Sequence, residues 1–252
     1  MIGVFDSGVG GLTVLQELRK VMPQADFIYF GDTKNAPYGP RPHYELVQLT
    51  IVAMRLVLER GATGIVSACN SVSAAMALSE IGTFPLPESR LIEMVGPTVD
   101  ALAVESDRIL LCATEATVRA GIYQDGFALR GKEIDAVPVP ELAGLIEAGA
   151  PYSDVRHCVE AALAPHTGQY GTLLLGCTHY PLAIGAFQDV AGDKVRVFDP
   201  AAAVAAATAA RFPDEAAGQG TIRFLVSKES PVFRALAADM FPESAASIEV
   251  IE

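Results

Sequence analysis

The stretch Gly64-Ile-Val-Ser-Ala-Cys69-Asn-Ser71 decides the fold, and its pattern returns at Thr172-Leu-Leu-Leu-Gly-Cys177-Thr-His179. In both stretches a short apolar run leads to a cysteine, then to two polar residues and a segment with helical spacing of its apolar residues. An apolar run without polar alternation is typical of a parallel strand that is covered on both faces. The two stretches therefore predict two strand–loop–helix units, each with a cysteine after its strand.

The same alternation of apolar runs and helical patterns extends along the whole chain. Strands are predicted at 2–5, 27–30, 64–68, 91–94, 109–112, 172–175, 195–198 and 222–226, and a strand–helix–strand unit is expected at the end. Helices are predicted at 12–21, 43–60, 71–79, 98–104, 116–124, 141–148, 154–163, 182–190 and 201–211. Alternating strands and helices predict an α/β fold with mainly parallel sheets.

Two similar, doubly wound domains are expected, since 252 residues exceed one average domain and the two cysteine units look alike. The first domain is expected to combine residues 1–96 with 206–252, and the second to span 97–205. Ligands of α/β sheets bind at the carboxyl ends of the strands. The two cysteine loops are therefore expected to face each other across one cleft between the domains.

The composition excludes several classes of protein. Lys and Arg number 18 against 30 Asp and Glu, and the net charge of −12 argues against nucleic acid or an anionic membrane as the main partner. A hydrophobic content of 51% excludes general disorder. The sequence has no long apolar run and no leader segment. We therefore expect a cytoplasmic protein without a membrane span.

Four cysteines without a C-x-x-C motif predict free thiols and no structural metal site. Cys69 and Cys177 are the candidate reactive residues, because a thiol at a helix N-terminus can have a lowered pKa. The alternative for each is a small residue of the core, but their matched contexts favour a function. Cys112 and Cys158 lack this context and are interpreted as packing residues.

The segment Asp6-Ser-Gly-Val-Gly-Gly11 follows the first predicted strand and opens a helix. Its glycines let a ligand approach the backbone, but it matches neither the phosphate loop of nucleotide-binding proteins nor the dinucleotide motif. Asp6 has two interpretations. It either forms a local cap or turn, or it orients an ammonium group and helps a cysteine to take up a proton.

Other polar residues at predicted strand ends also have a local and a functional interpretation. Pro37-Tyr38-Gly39 suits an ordinary turn or a substrate-binding loop. Thr114 and Thr117 either cap a helix or donate hydroxyl groups to a carboxylate. His179 is either a structural residue or the acid/base partner of Cys177, and Glu147 taken alone suits a solvated helix end.

Together, these motifs resemble those of the glutamate racemases, which belong to the cofactor-independent aspartate/glutamate racemase superfamily. The motifs are Asp6-Ser-Gly-Val-Gly-Gly-Leu12, Pro37-Tyr-Gly39, Ala68-Cys-Asn70 and Gly176-Cys-Thr-His-Tyr-Pro-Leu182. They occur in the order and spacing of that family over nearly the whole chain, and the last motif is quite specific. The resemblance implies two α/β domains with the active site between them.

The resemblance also implies a two-base racemisation of glutamate, with one cysteine on each face of the α-carbon. Cys69 is then the base for D-glutamate and Cys177 the base for L-glutamate. Asp6 and His179 are implied as acid/base supports, and Glu147 as an assistant near His179. The candidate substrate-binding residues are Asp6, Ser7, Pro37, Tyr38, Gly39, Cys69, Asn70, Ser71, Thr114, Thr117, Cys177, Thr178 and His179.

An acidic amino acid, L- or D-glutamate, is the implied small-molecule partner, and a homodimer is the implied assembly. No cofactor and no metal ion are implied, so the developing carbanion is expected to be stabilised by hydrogen bonds and fixed dipoles. D-glutamate as a product implies a role in the synthesis of bacterial peptidoglycan.

Three alternatives stay open. The same two thiols suit racemisation of aspartate or another acidic amino acid, because Ser71 stands where the family usually has threonine. An amidase that uses Cys177 as nucleophile and His179 as base leaves Cys69 without a role. A non-catalytic amino-acid-binding module needs neither thiol.

Overall fold

The computed structural model describes residues 1–77, 84–244 and 247–251, and its strands form two parallel sheets. The six-stranded sheet contains β1 (Ile2–Asp6), β2 (Phe27–Gly31), β3 (Gly64–Ser67), β4 (Leu91–Ile92), β9 (Ile222–Val226) and β10 (Ile248–Val250), in the order β10-β9-β2-β1-β3-β4. The four-stranded sheet contains β5 (Ile109–Ala113), β6 (Asp135–Pro138), β7 (Thr172–Gly176) and β8 (Arg196–Phe198), in the order β6-β5-β7-β8.

Helices follow most of the strands. They are α1 (Gly11–Val21), α2 (His43–Glu59), α3 (Asn70–Ala77), α4 (Val95–Leu102), α5 (Glu115–Ala120), α6 (Ile122–Ala128), α7 (Leu142–Glu147), α8 (Tyr152–Leu163), α9 (Ile184–Ala191), α10 (Ala201–Arg211) and α11 (Pro231–Met240). Short 3-10 helices span Glu88–Arg90, Ala164–His166, Tyr180–Ala183 and Pro213–Ala216. The predicted α/β fold with two parallel sheets is confirmed.

Both sheets are covered by helices on their two faces, which explains the unbroken apolar runs. In β1, Val4 packs into the core beneath α1 and α10, while its neighbour Phe5 packs into the core beneath α2. In β5, Leu110 and Leu111 divide in the same way between two further core clusters. Since neighbouring side chains of a strand point to opposite faces, a strand that is covered twice needs apolar residues at every position.

The structure differs most clearly from the predicted elements at three places. The predicted helix 116–124 is two helices, because Gly121 has a left-handed φ of 70° and ends α5. Strand β6 was not predicted. This edge strand has exposed ends at Asp135 and Pro138 and lacks a continuous apolar run. The predicted strand 91–94 is cut to two residues, since α4 begins at Val95. Residues 78–79 of the predicted helix 71–79 lie outside the described residues.

The predicted domain boundaries fall inside two helices. Residues 205 and 206 lie within α10, and Ala201, Val204 and Ala205 of this helix pack into the core of the six-stranded sheet. Residues 96 and 97 lie within α4, whose Val95 and Val99 pack with the four-stranded sheet. The two-domain division stays a prediction, and we propose that the chain crosses between the domains immediately before α4 and immediately before α10.

The buried centre of the four-stranded sheet is expected to be sensitive to loss of volume. Leu174 in β7 is fully buried, whereas Leu129 after α6 is 82% exposed. We expect Leu174→Ala to lower the free energy of unfolding by about 2–5 kcal/mol, since it leaves a cavity in the core. Leu129→Ala is the matched control and should change it by less than about 0.5 kcal/mol. Urea unfolding of both variants checks this, and equal losses would contradict the packing described here.

Candidate active site

A small cavity lies where the carboxyl ends of strands from both sheets meet. Its lining residues are Ser7, Pro37, Tyr38, Gly39, Cys69, Asn70, Ser71, Thr114, Ala143, Cys177, Thr178 and His179. These residues close tightly around the space between the two sheets. The sequence had pointed to every one of these residues except Ala143, whose methyl group carries no chemical signal.

Cys177 lies at one end of a hydrogen-bonded chain. Its Sγ is 3.8 Å from Nδ1 of His179, and Nε2 of His179 is 2.7 Å from Oε1 of Glu147. Burial lowers the pKa of His179, but its bonds to Cys177 and Glu147 outweigh this, so the pKa of His179 lies well above its usual value. A protonated imidazole therefore donates to the sulfur on one side and to the carboxylate on the other.

Cys69 has a different environment. Its thiol donates to Oγ of Ser7 over 3.8 Å, and only 5% of the residue is exposed. Burial raises the pKa of Cys69 far above its usual value, and the nearby Asp6 adds to this. The helix N-terminus was expected to lower the pKa of such a thiol; here the loss of hydration outweighs that effect. Cys69 is therefore a neutral thiol.

Asp6 lies behind the cavity wall and links the two sheets. Its Oδ2 accepts from the N–H of Gly8 at 3.0 Å, which forms a local turn, and its Oδ1 accepts from Oγ1 of Thr178 at 3.0 Å. Burial raises the pKa of Asp6, although the neighbouring His179 opposes this. Asp6 thus makes the local turn of the first interpretation and also contacts a residue of the cavity.

Glu147 is held between the two halves of the molecule and is not a solvated side chain. Its Oε1 accepts from the backbone N–H of Val9 at 2.8 Å as well as from His179. A Cβ atom at Gly8 would lie 1.7 Å from this oxygen, and one at Gly10 would lie 2.7 Å from the backbone nitrogen of His179. Glycine is required at position 10, because the backbone of the second cysteine loop approaches so closely, whereas a side chain at position 8 would have to displace the Glu147 carboxylate.

A row of hydroxyl groups lies at the junction of α3 and α5. Oγ of Ser71 is 3.1 Å from Oγ1 of Thr114, which is 3.1 Å from Oγ1 of Thr117. Thr114 also accepts from the N–H of Thr117 as the N-cap of α5, so it both caps the helix and lines the cavity. Thr117 is buried behind Thr114 and is absent from the described lining of the cavity.

Asn70 offers an unused donor. Its Oδ1 accepts from the hydroxyl group of Tyr123 at 2.5 Å, whereas its buried Nδ2 has no hydrogen-bond partner among the described residues. A buried N–H group without a partner is costly. Because Asn70 lines the cavity, a ligand oxygen would satisfy this amide.

Asp32 is a residue that the sequence analysis missed. It is 4% exposed and accepts hydrogen bonds from Tyr38 (2.6 Å), Ser227 (2.6 Å) and Asn35 (2.9 Å). It therefore fixes the loop that carries Pro37–Gly39 over the cavity. The available signal was its position directly after β2, which corresponds to that of Asp6 at the end of β1.

The described part of the chain offers neither a metal site nor a membrane-spanning helix. Within residues 1–77, 84–244 and 247–251, no three His, Cys, Asp or Glu side chains are close enough together to hold a metal ion. In the same part of the chain, no helix has the length and apolar character that crossing a membrane requires.

Comparison with known proteins shows the family of this chain. A family model described as Asp/Glu/Hydantoin racemase matches residues 12–208. The chain belongs to this family. A glutamate racemase of Herpetosiphon aurantiacus is 38% identical over 245 residues, which cover 92% of this chain and 94% of that protein.

Solved structures give the same answer. A glutamate racemase of Bacillus anthracis has a TM-score of 0.86 at 27% identity, covering 100% of this chain and 97% of that one. A glutamate racemase of Thermus thermophilus, in complex with β-chloro-D-alanine, has a TM-score of 0.82 at 32% identity, covering 100% and 96%. The predicted resemblance and the enzyme class, a racemase among the isomerases, are confirmed.

The close approach at Gly8 can be tested by stability. Gly8→Ala would place a methyl group against the Glu147 carboxylate, and we expect the free energy of unfolding to fall by about 1–3 kcal/mol. Gly144→Ala in α7 is the matched control, because nothing lies within 4 Å of its added methyl group. That change should stabilise the chain by about 0.5–1 kcal/mol, since alanine favours a helix. Urea unfolding measures both, and a neutral Gly8→Ala would show that the contact is not tight.

The raised pKa of His179 makes stability depend on pH. Above about pH 6.5 the unfolded chain loses the imidazole proton while the folded chain keeps it. The stability that protonated His179 contributes is complete below that pH and is lost as the pH rises through the folded pKa. We expect the free energy of unfolding to fall between about pH 6.5 and 8, by up to about 1.4 kcal/mol per pH unit.

The comparison of variants isolates this contribution. His179→Gln should have a flatter profile over the same pH range, whereas His157→Gln, at an exposed position of α8, should follow the unmodified chain. Denaturant titrations at several pH values provide the measurement. An identical slope in His179→Gln would rule out His179 as its source.

Proposed function

We propose that the chain interconverts L- and D-glutamate by moving the α-proton between Cys69 and Cys177 without a cofactor. The observation that carries this proposal is that two thiols, supplied by loops of different sheets, line one small cavity. Racemisation removes a proton from one face of the α-carbon and returns one to the other face. Two groups on opposite sides can do this, whereas one base serves both faces poorly. The names of the relatives described above support glutamate as the substrate.

Cys177 is proposed to deprotonate L-glutamate. The protonated His179 beside it stabilises a thiolate, and Glu147 holds the imidazole in place through its Nε2–H. A thiolate is the form of cysteine that accepts a proton. Glu147 and His179 thus prepare Cys177 as a base.

Cys69 is proposed to deliver a proton to the opposite face. Because its burial favours the neutral thiol, it holds the proton that the carbanion needs. Ser7 accepts from this thiol and orients it. For D-glutamate the two cysteines exchange these roles, with Asp6 and His179 supporting the proton transfers.

The substrate carboxylates are proposed to bind hydrogen-bond donors that line the cavity. Asn70 supplies an amide N–H without a partner among the described residues, and the hydroxyl groups of Ser71 and Thr114, which now bond to each other, lie around the same space. Such donors also stabilise the negative charge that develops on the α-carboxylate as the proton leaves. Hydrogen bonds to charged acceptors are stronger than those to neutral ones, which favours a carboxylate ligand here.

The biological role and the location are proposed from the product, D-glutamate. The proposed role is in peptidoglycan synthesis and cell shape, and the proposed location is the cytoplasm. The family resemblance further points to a homodimer, which light scattering of the purified chain would measure.

Replacing either cysteine is expected to affect the reactions of the two enantiomers differently. Cys69→Ser and Cys177→Ser should each reduce racemisation by at least about 100-fold, because a hydroxyl group is a far weaker acid and base than a thiol. Elimination of chloride from a β-chloro analogue needs a single deprotonation. Cys69→Ser should therefore keep elimination from the L-enantiomer, and Cys177→Ser that from the D-enantiomer. Chirally resolved assays measure both reactions.

Cys158→Ser is the matched control, because this half-buried thiol lies in α8 and does not line the cavity. It should retain racemisation. Equal residual elimination of both enantiomers in each variant would overturn the two-face assignment, and full racemisation in either active-site variant would overturn the mechanism. Faster turnover of L- and D-aspartate than of glutamate would overturn the substrate.

A further inference from the structure

A second crevice lies near the active-site cavity. It is lined by Arg41, His43, Leu46, Ala74, Ala75, Ala116, Arg119 and Ala120. None of these lining residues lines the cavity that contains the two cysteines. The crevice is therefore a separate feature with its own chemistry.

The crevice and the cavity share three walls. Ser71 of α3 lines the cavity, and Ala75 lies one helical turn further along the same helix in the crevice. Gly39 lines the cavity and Arg41 the crevice, two residues later in the same loop. The third shared wall is α5, whose N-cap Thr114 faces the cavity. The crevice thus lies directly outside the cavity.

Two contacts lie between the residues of the two spaces. Ser71 bonds to Thr114, and Gly39 packs closely against Thr114, where an added Cβ would lie 2.9 Å from the threonine Cβ. Because Gly39 and Thr114 belong to opposite sides of the cleft, a small separation of the loop from α5 would join the crevice to the cavity.

The charge of the crevice is opposite to that of the molecule. The chain carries a net charge of −12, yet the titratable residues that line this space are two arginines and a histidine, without a carboxylate among its described lining residues. The guanidinium group of Arg41 already has partners, because it pairs with Glu45 and donates to the carbonyl oxygen of Asn35. Arg119 is exposed and makes no hydrogen bond or ion pair with any residue that the structure describes.

We propose that this crevice is the approach site for the acidic substrate, and that Arg119 holds a substrate carboxylate there before it passes Gly39 and Thr114 into the cavity. This inference rests on the proposed function, since it assumes an acidic substrate. A local cation within an anionic surface raises the local concentration of anions and their rate of capture. It acts before the chemical step, so its effect falls on KM and leaves kcat nearly unchanged.

Steady-state kinetics with glutamate give the first test. At low ionic strength Arg119→Glu should lower kcat/KM by about fivefold through KM, and in about 0.5 M salt the loss should shrink to less than about 1.5-fold. Arg119→Lys keeps the charge and should restore most of the loss. Arg55→Glu in α2 is the matched control, because Arg55 is also exposed and unpaired within the described residues but lies outside the crevice. It should change kcat/KM by less than about 1.5-fold.

Alkylation of the cysteines gives a second test that needs no turnover. Iodoacetate is anionic and iodoacetamide is neutral, and under this proposal both reach Cys69 and Cys177 through the crevice. The ratio of their alkylation rates, followed by peptide mass, should fall by about threefold or more in Arg119→Glu and stay unchanged in Arg55→Glu. The rate with iodoacetamide should be the same in all variants.

The two tests separate this inference from the proposed function. If the unmodified chain does not racemise glutamate, the proposed function fails, while the alkylation ratio still decides whether anions use the crevice. If Arg119→Glu behaves like Arg55→Glu in both tests, the inference is overturned. A changed alkylation ratio with unchanged kcat/KM for glutamate would also overturn it, since the substrate would then use another route.

Discussion

The carboxylate of Glu147, shared between the N–H of Val9 and Nε2 of His179, is the interaction on which the active site depends. Val9 follows the central strand of the six-stranded sheet, whereas Glu147 and His179 belong to the half built on the four-stranded sheet. One oxygen atom therefore joins the two halves and orients the imidazole beside Cys177. Gly8 makes this possible, because any side chain there would occupy the position of that oxygen.

The two cysteine loops look alike in sequence, yet the structure gives them different chemistry. Cys177 has a protonated imidazole beside it, whereas Cys69 has only a serine hydroxyl group and the negative field of Asp6. Burial raises the pKa of the Cys69 thiol, whereas Cys177 lies beside the imidazole of His179. This asymmetry suits a reaction in which one sulfur begins as base and the other as acid.

The fold could be predicted well from the sequence, because the patterns that produce it lie within short segments of the chain. Strands covered on both faces are apolar throughout, as β1 and β7 are, and the segments between them carry helical periodicity. Edge strand β6 lacks that signal, since its ends face solvent. The cavity residues were found through motifs at strand ends. Asp32 was missed because its role is set by neighbours far apart in the chain, such as Ser227, and Ala143 because a methyl group carries no chemical signal.

Several of the hydrogen bonds that join the two halves surround the cavity. Asp6 with Thr178, Asn70 with Tyr123, Ser71 with Thr114 and Val9 with Glu147 each pair the two sides. Admitting a substrate must therefore loosen some of the same bonds that hold the halves together. Of these hydrogen bonds, the one between Ser71 and Thr114 is the easiest to exchange. Their hydroxyl groups can turn to a substrate carboxylate and replace one hydrogen bond by another. The same side chains thus couple opening to binding. Hydrogen bonds to the bound substrate replace those that break when the cavity opens.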